Sequence, residues 1–214
     1  MKVTQKQLMH QTQESSLAIF FYKKPSLLLR IFYLAKKQRF LTGGGYGILV
    51  RMLRDIGFST FYYDAYAQNI FAKPFTFCHQ TPIDLIVSFE VFEHLEDPQK
   101  TLESLLKISK NILFSTELIP SEVPPFNGEQ TWWYYGFSHG QHISFYSYKS
   151  LEVLAKKHQL YFYSYRNIHL FTTKKFPKFI FKSIIILSKI GFHLLPKFFM
   201  QSKTQEDSKI ILQN

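Results

Sequence analysis

A chain of 214 residues is long enough for one α/β domain with a sizeable core, and its single cysteine, Cys78, excludes an internal disulfide and a Cys-rich zinc module. The net charge of +11 is unevenly spread: residues 1–39 hold eight Lys/Arg and one acid, residues 40–160 nine and twelve, and residues 161–214 nine and two. An acidic middle argues against a catalytic domain that is one large phosphate-binding surface, so nucleic acid is not the expected partner, whereas basic flanks suit an anionic surface such as a membrane.

Residues 1–16 are polar, without the apolar stretch of a secretory leader. No run reaches about 18 uncharged apolar residues, so no membrane-spanning helix is expected. With the single thiol, this suggests a cytoplasmic protein. Residues 26–38 (SLLLRIFYLAKKQ) have helical spacing and complete a basic N-terminal segment, 1–38.

A domain over 39–173 follows. Residues 39–42 read as a strand, Gly43–Gly47 as a turn, and Ile48–Ile56 as a helix with Leu49, Met52, Leu53 and Ile56 on one face and Gly57 as C-terminal cap. Thr60–Tyr63 is a strand ending at Asp64. A helix near Ala65–Ala72 and a weak strand near Phe75–Cys78 come next. Residues 83–89 (IDLIVSF) form a buried strand, followed by Glu90, Glu93, Glu96 and Asp97. The pattern continues with a helix over 98–110, a strand over 111–118, and a loop over 119–140 rich in Pro, Gly and aromatics, of the kind that often binds or covers a ligand. Ser147 caps a helix over 147–158, and 160–173 alternates as two strands around Arg166-Asn167. Alternating strands and helices predict a mainly parallel sheet with helices on both faces and a closing antiparallel strand.

The segment 174–214 is again basic. Lys178, Lys182, Lys189 and His193 mark one helical stripe among Phe179, Ile180, Ile184, Ile186, Leu187 and Ile190, with Pro196 ending or kinking the helix. Such a helix over 174–200 can lie in a membrane interface or pack on a partner or on the domain itself; the width of its apolar face favours a membrane or partner.

The chemistry concentrates at the strand ends. Glycines at 43, 45 and 47 permit positive φ and close approach of a ligand, and the N-terminus of the following helix favours an anion. Asp64, about 20 residues on, sits where an acid can bind ribose hydroxyls. A dinucleotide fingerprint would need glycine at its sixth position, which is Ile48. His94 follows the strand end where ligands collect in open α/β sheets, and can equally be a structural histidine beneath the loop. No set of His, Cys and carboxylates has metal-ligand spacing, so no metal is expected. Within the run Trp132-Trp133-Tyr134-Tyr135, Trp132, Trp133 and Tyr135 are candidates to cover an acceptor, or to pack the loop.

The stretches FLTGGGYGILVRMLRDIGF, YYDAYA and IDLIVSFEVFEHLEDP together resemble class I S-adenosylmethionine-dependent methyltransferases, over roughly residues 39–173. The resemblance is greatest to bacterial members associated with sugar and polysaccharide biosynthesis. It implies a Rossmann-like fold and S-adenosyl-L-methionine as cofactor. It also implies that Gly43, Gly45 and Gly47 line the cofactor, that Asp64 binds its ribose, and that Phe89 and Glu90 flank it. His142 precedes a Phe145-x-Ser147-x-x-x-Leu151 helix start, where the family often has a histidine facing the acceptor, so His142 and His94 are the candidate catalytic residues, with His139 a weaker option. The implied acceptor is a small molecule or a saccharide. One position departs from the pattern: the family usually has an acid two residues before the first glycine, and here that residue is Leu41. This departure keeps open a non-catalytic protein that binds a membrane or partner, beside the less favoured RNA methyltransferase.

Overall fold

The computed structural model describes residues 39–43, 45–64, 67–125, 132–135, 142–189 and 200–212. The helix expected over 26–38, together with Gly44, His139, His193 and Pro196, lies outside the described residues. The strands are β1 (Arg39–Gly43), β2 (Ser59–Tyr62), β3 (Leu85–Phe89), β4 (Ile112–Ser115), β5 (Tyr161–Tyr165) and β6 (Ile168–Thr172). The helices are α1 (Ile48–Ile56), α2 (Pro98–Ile108), α3 (Tyr148–Lys157), α4 (Lys178–Lys189) and α5 (Thr204–Leu212). The six strands make one sheet in the order β2-β1-β3-β4-β6-β5. The first four run parallel, and β6 is inserted antiparallel between β4 and β5. This is the Rossmann-like arrangement expected from the alternation of elements.

Period-two side-chain direction divides the core between two faces. Phe40, Leu85, Val87, Phe89 and Leu113 point to one face, where they meet Leu49, Leu53 and Ile56 of α1 and Phe181, Ile184 and Ile185 of α4. Leu41, Ile86, Ile112 and Phe114 point to the other, against Leu102 and Leu106 of α2 and Leu151 and Ala155 of α3. The central strands are buried on both sides, which is why β3 (LIVSF) reads as apolar apart from Ser88.

Local chemistry sets the helix limits. Gly57 ends α1 at φ 115° and donates to the carbonyls of Leu53 and Arg54. Ser147 caps α3 by accepting from Ser150 N at 3.1 Å, and the Ser150 hydroxyl reciprocates to Ser147 N. The helix expected near Ala65–Ala72 is not formed over the described part, 67–72. Asp64 Oδ1 accepts from Ala67 N at 2.8 Å, and Asn69 Oδ1 accepts from Ala72 N at 2.9 Å. These side-chain bonds satisfy the backbone in turns and displace the helix. The weak strand at 75–78 reduces to one bridge between Tyr62 and Thr76.

The C-terminal elements pack on this sheet. Through Phe181, Ile184 and Ile185, α4 spends much of its apolar surface on the domain, the packing alternative for that stripe, while Phe179 is 68% exposed. No helix among the described residues is long and apolar enough to cross a membrane. In turn α5 docks on α1, where Asp207 receives Arg54 Nε and Nη2 at 2.8 and 2.7 Å.

Candidate active site

The site is built on the C-terminal ends of the parallel strands, where open α/β sheets bind ligands. At the end of β1, Gly45 and Gly47 take φ values of 78° and 91°. Only glycine adopts these cheaply. A Cβ at Gly47 would also lie 2.7 Å from Asn69 Oδ1. Gly47 caps α1 without a side-chain bond, and the first turn of α1 holds no acid. The N–H groups there are therefore left for a ligand anion. The irregular segment after Asp64 supports the loop: Ile70 N and Phe71 N both donate to Tyr46 O at 3.0 Å. The Tyr62 hydroxyl lies 3.0 Å from Gly45 O and 2.5 Å from Ala67 O, tying loop and segment together.

Strand register places the other residues beside this loop. Thr42 pairs with Tyr62 and Gly43 with Ser88, so Asp64 and Glu90, each two residues further on, flank the glycine turn on either side. Asp64 is half-buried and anchored through Ala67 N. Glu90 adopts the left-handed φ of 51°, an uncommon conformation for a residue with a side chain. It is held there by Ser115: Glu90 N donates to Ser115 Oγ at 2.9 Å, and that hydroxyl donates to Glu90 Oε1 at 2.6 Å. The Phe89 ring goes into the core on the α1 face, so its part in any ligand site is through its backbone. Leu41, the position where the resemblance leads one to look for an acid, is buried on the opposite face, against α2 and α3.

The turn Phe92–His94 follows β3 and is clamped by the segment that enters α3. Ile143 N and Ser144 N donate to Glu93 O at 2.8 and 3.0 Å, Ser144 Oγ to Leu95 O at 2.6 Å, and Tyr146 Oη to Phe92 O at 2.8 Å. These bonds bring His142 against His94, with ring centroids 5.0 Å apart. His142 Nδ1 lies 2.6 Å from Tyr134 O. A carbonyl only accepts, so Nδ1 carries a proton, and Nε2 is the ring nitrogen left for another partner.

Glu93 stands beside the histidines, Glu90 acts on Glu93, and Glu117 is acted on by Glu90. Glu93 is fully buried, and neither carboxylate oxygen has a hydrogen-bond partner among the described residues. Burial first, and Glu90 second, push its pKa well above the ordinary carboxylate range. Glu117 is raised for the same two reasons, in the same order. The sequence spacing predicts no metal site. The fold nevertheless gathers one ligand atom from each of Glu93, His94 and His142 within 4.8 Å of one another.

The aromatic run is divided. Tyr134 is buried, with its hydroxyl 3.1 Å from Thr116 Oγ1 and its ring 4.4 Å from His142. Tyr135 donates to Pro124 O at 2.6 Å, and the Trp132 ring packs on Tyr134, Tyr135 and Phe145. Trp133 is 75% exposed. Trp132 and Tyr135 therefore pack the loop itself, while Tyr134, which the sequence did not single out from its neighbours, reaches the histidines. Glu93, Ser115 and Glu117 were likewise not named as site residues. For Glu93 the signal was present in Glu90-x-x-Glu93-His94 directly after a buried strand; for Ser115 and Glu117 the linear sequence holds none.

A doubly wound sheet with a glycine loop at one strand end and acids at its neighbours defines a class of α/β proteins that bind nucleoside-containing ligands. Within it, residues 18–165 match the family described as "Methyltransferase domain". That span is most of the chain, and the protein belongs to this family. Among solved structures, the chain is similar to a SAM dependent methyltransferase from Aquifex aeolicus, at 14% identity and a TM-score of 0.45, over 79% of this chain and 97% of that one. It is also similar to EvdMO1, at 10% identity and a TM-score of 0.38, over 70% of this chain and 39% of that one. No curated protein matches the sequence.

Proposed function

We propose that this methyltransferase-family protein transfers the methyl group of S-adenosylmethionine to a hydroxyl group of a small-molecule or saccharide acceptor. The observation that carries this reading is the convergence of the glycine loop, Asp64 and Glu90 on three adjacent strand ends, with His94 and His142 beside them. The uncapped start of α1 suits a carboxylate, and Asp64 suits the ribose hydroxyls. When bound, the cofactor supplies a methyl group on a positively charged sulfur, and Glu90 at the end of β3 complements that charge.

Methyl transfer depends mainly on holding acceptor and methyl group in line. His142 Nε2 is positioned to accept the hydrogen of the attacking hydroxyl, with its tautomer set by Tyr134 O. With the cofactor bound and the acceptor held in line with its methyl group, His142 Nε2 would take up the proton that the acceptor hydroxyl gives up. Trp133 offers an exposed flat ring near this segment for an apolar sugar face. The exposed edge of α4, with Phe179, Ile180 and Lys182, is read as a surface that meets an anionic membrane near a lipid-linked acceptor.

Calorimetric titration with S-adenosylmethionine and S-adenosylhomocysteine tests the cofactor reading. Micromolar binding is expected. In Asp64→Ala it should weaken about tenfold or more, the equivalent of one charged hydrogen bond at ~1.5–3 kcal/mol. A folded wild-type protein that binds neither compound overturns the proposal.

A further inference from the structure

We propose that Glu93, His94 and His142 form a binding site for a divalent metal ion of the zinc type. Its use in catalysis rests on the methyl-transfer reading, while the site stands on its own geometry.

The first argument is electrostatic. A buried carboxylate is costly unless it is paired or coordinates a metal. Glu93 is completely buried, both of its oxygens are without hydrogen-bond partners, and no Lys or Arg forms an ion pair with it among the described residues. The neighbouring acid, Glu90, adds negative charge rather than relieving it. A cation relieves this arrangement; a second protein side chain of positive charge is not at hand among the described residues.

The second argument is the orientation of the donors. His142 Nδ1 donates to the backbone carbonyl of Tyr134, which leaves Nε2 as the nitrogen available to an ion shared with Glu93 and His94. A ligating histidine usually has its other nitrogen held in this way, which fixes both tautomer and ring plane. The segment that carries His142 is tied to the turn that carries Glu93 and His94 by the bonds from Ile143, Ser144 and Tyr146. The ligand atoms lie within 4.8 Å of one another. Neighbouring ligands of a tetrahedral ion with bonds of about 2.0–2.1 Å are roughly 3.3 Å apart, so the three donors would have to draw together by about 1.5 Å at most to bind one.

The donor set selects the ion. Two imidazoles and one carboxylate suit zinc and related transition metals, whereas calcium and magnesium favour all-oxygen shells. Three protein ligands leave a position open. An acceptor hydroxyl bound there would lose its proton more readily, as metal-bound water does. In that state His142 Nε2 would be a ligand rather than the base, and the proton of the coordinated hydroxyl would pass to solvent water.

The test uses the full chain, freed of metal with a chelator and checked for folding by circular dichroism. Zinc is titrated in competition with a chromophoric chelator, and cobalt(II) is followed by its visible absorption. One equivalent of each is expected to bind at micromolar affinity or tighter. Glu93→Gln, His94→Ala and His142→Ala should each weaken zinc binding at least tenfold, while His79→Ala, at an exposed histidine, leaves it unchanged. His142→Cys retains a ligand and should add a sulfur-to-cobalt charge-transfer band, which keeps the test decisive if an alanine variant fails to fold. A folded wild-type chain that takes up neither ion, or uptake that the three substitutions leave intact, overturns the inference. Cofactor binding by the metal-free chain, measured separately, tells this failure from a failure of the methyl-transfer reading.

Discussion

Asp207 and Glu93 are both fully buried acids, and the fold treats them in opposite ways. Asp207 receives a two-pronged bond from Arg54, and Arg51 Nη2 lies 2.8 Å from Oδ2, the oxygen that Arg54 Nε also reaches. The Arg54 guanidinium is itself satisfied by Thr60 O at 3.2 Å and stacks on Phe75 at 3.6 Å. Burial tends to raise the pKa of Asp207, but the two guanidinium groups outweigh it and hold the carboxyl below its usual range. The Glu93 carboxyl group has neither an arginine nor a hydrogen-bond partner among the described residues, and both burial and a neighbouring acid push its pKa up. A buried charge matched inside the fold ties α5 to α1. A buried acid left without an ion pair, beside two histidines at the strand ends, is where we place a ligand.

The largest effect should come from breaking the matched pair. Asp207→Ala leaves Arg54 buried without its partner, and the expected loss is about 3–5 kcal/mol. For a chain of this size that is a fall of roughly 10 °C in melting temperature, readable by thermal or urea denaturation. A change of only a degree or two would show that the clamp contributes little.

A second contrast is between His142 and His169. His169 is fully buried in β6, donates from Nε2 to Thr116 O at 3.0 Å, and accepts from Ser164 Oγ on Nδ1 at 3.0 Å. Burial holds its pKa down at about 4. The folded chain therefore keeps it neutral while the unfolded chain takes up a proton near pH 6.5. Between these values the unfolded state binds more protons, so stability falls as pH drops from about 6.5 to 4, by about 3 kcal/mol in total. In His169→Gln this share of the pH dependence should vanish from urea denaturation series; a slope that persists unchanged would assign it to other groups.

Glycines sharpen the same comparison at smaller scale. Gly57→Ala places a Cβ 2.6 Å from Gln201 O at φ 115°, and Gly47→Ala places one 2.7 Å from Asn69 Oδ1 at φ 91°. Each should cost about 1–3 kcal/mol. Only Gly47→Ala should also weaken S-adenosylmethionine binding in calorimetry; equal loss in both would place the effect in the fold rather than the loop.

The smallest change in stability should come from Glu93→Gln. Exchanging a buried acid that has no ion pair, and whose raised pKa favours the neutral carboxyl, for the neutral amide is expected to leave the metal-free protein within about 1 kcal/mol of wild type, or more stable. A loss of several kcal/mol in urea denaturation would mean that Glu93 is a structural acid like Asp207.

Much of the scaffold was legible because its signals are local. Helical spacing in 48–56 with Gly57 after it, Ser147 before Leu151 and Leu154, and the apolar run of 83–89 each depend on neighbours within a few residues. The glycine turn and the acids after β2 and β3 could be placed for the same reason. The segment 67–72 was misread because Asp64 and Asn69 compete for the backbone through their own side chains, which apolar periodicity does not register. The packing of α4 depended on a face of the sheet that only becomes available once the strands have paired.

By itself, then, the sequence determined the alternation of strands and helices, the glycine loop, and the strand ends at which ligand chemistry could collect. Periodicity, turn residues and caps act over a single turn of chain. Only the tertiary structure decided that His142 meets Glu93 and His94, that Tyr134 rather than its neighbours backs this group, and that Asp207 closes on Arg54 across 153 positions. Those contacts arise from strand register and loop closure, and the interaction of two buried groups depends on their separation in space rather than along the chain.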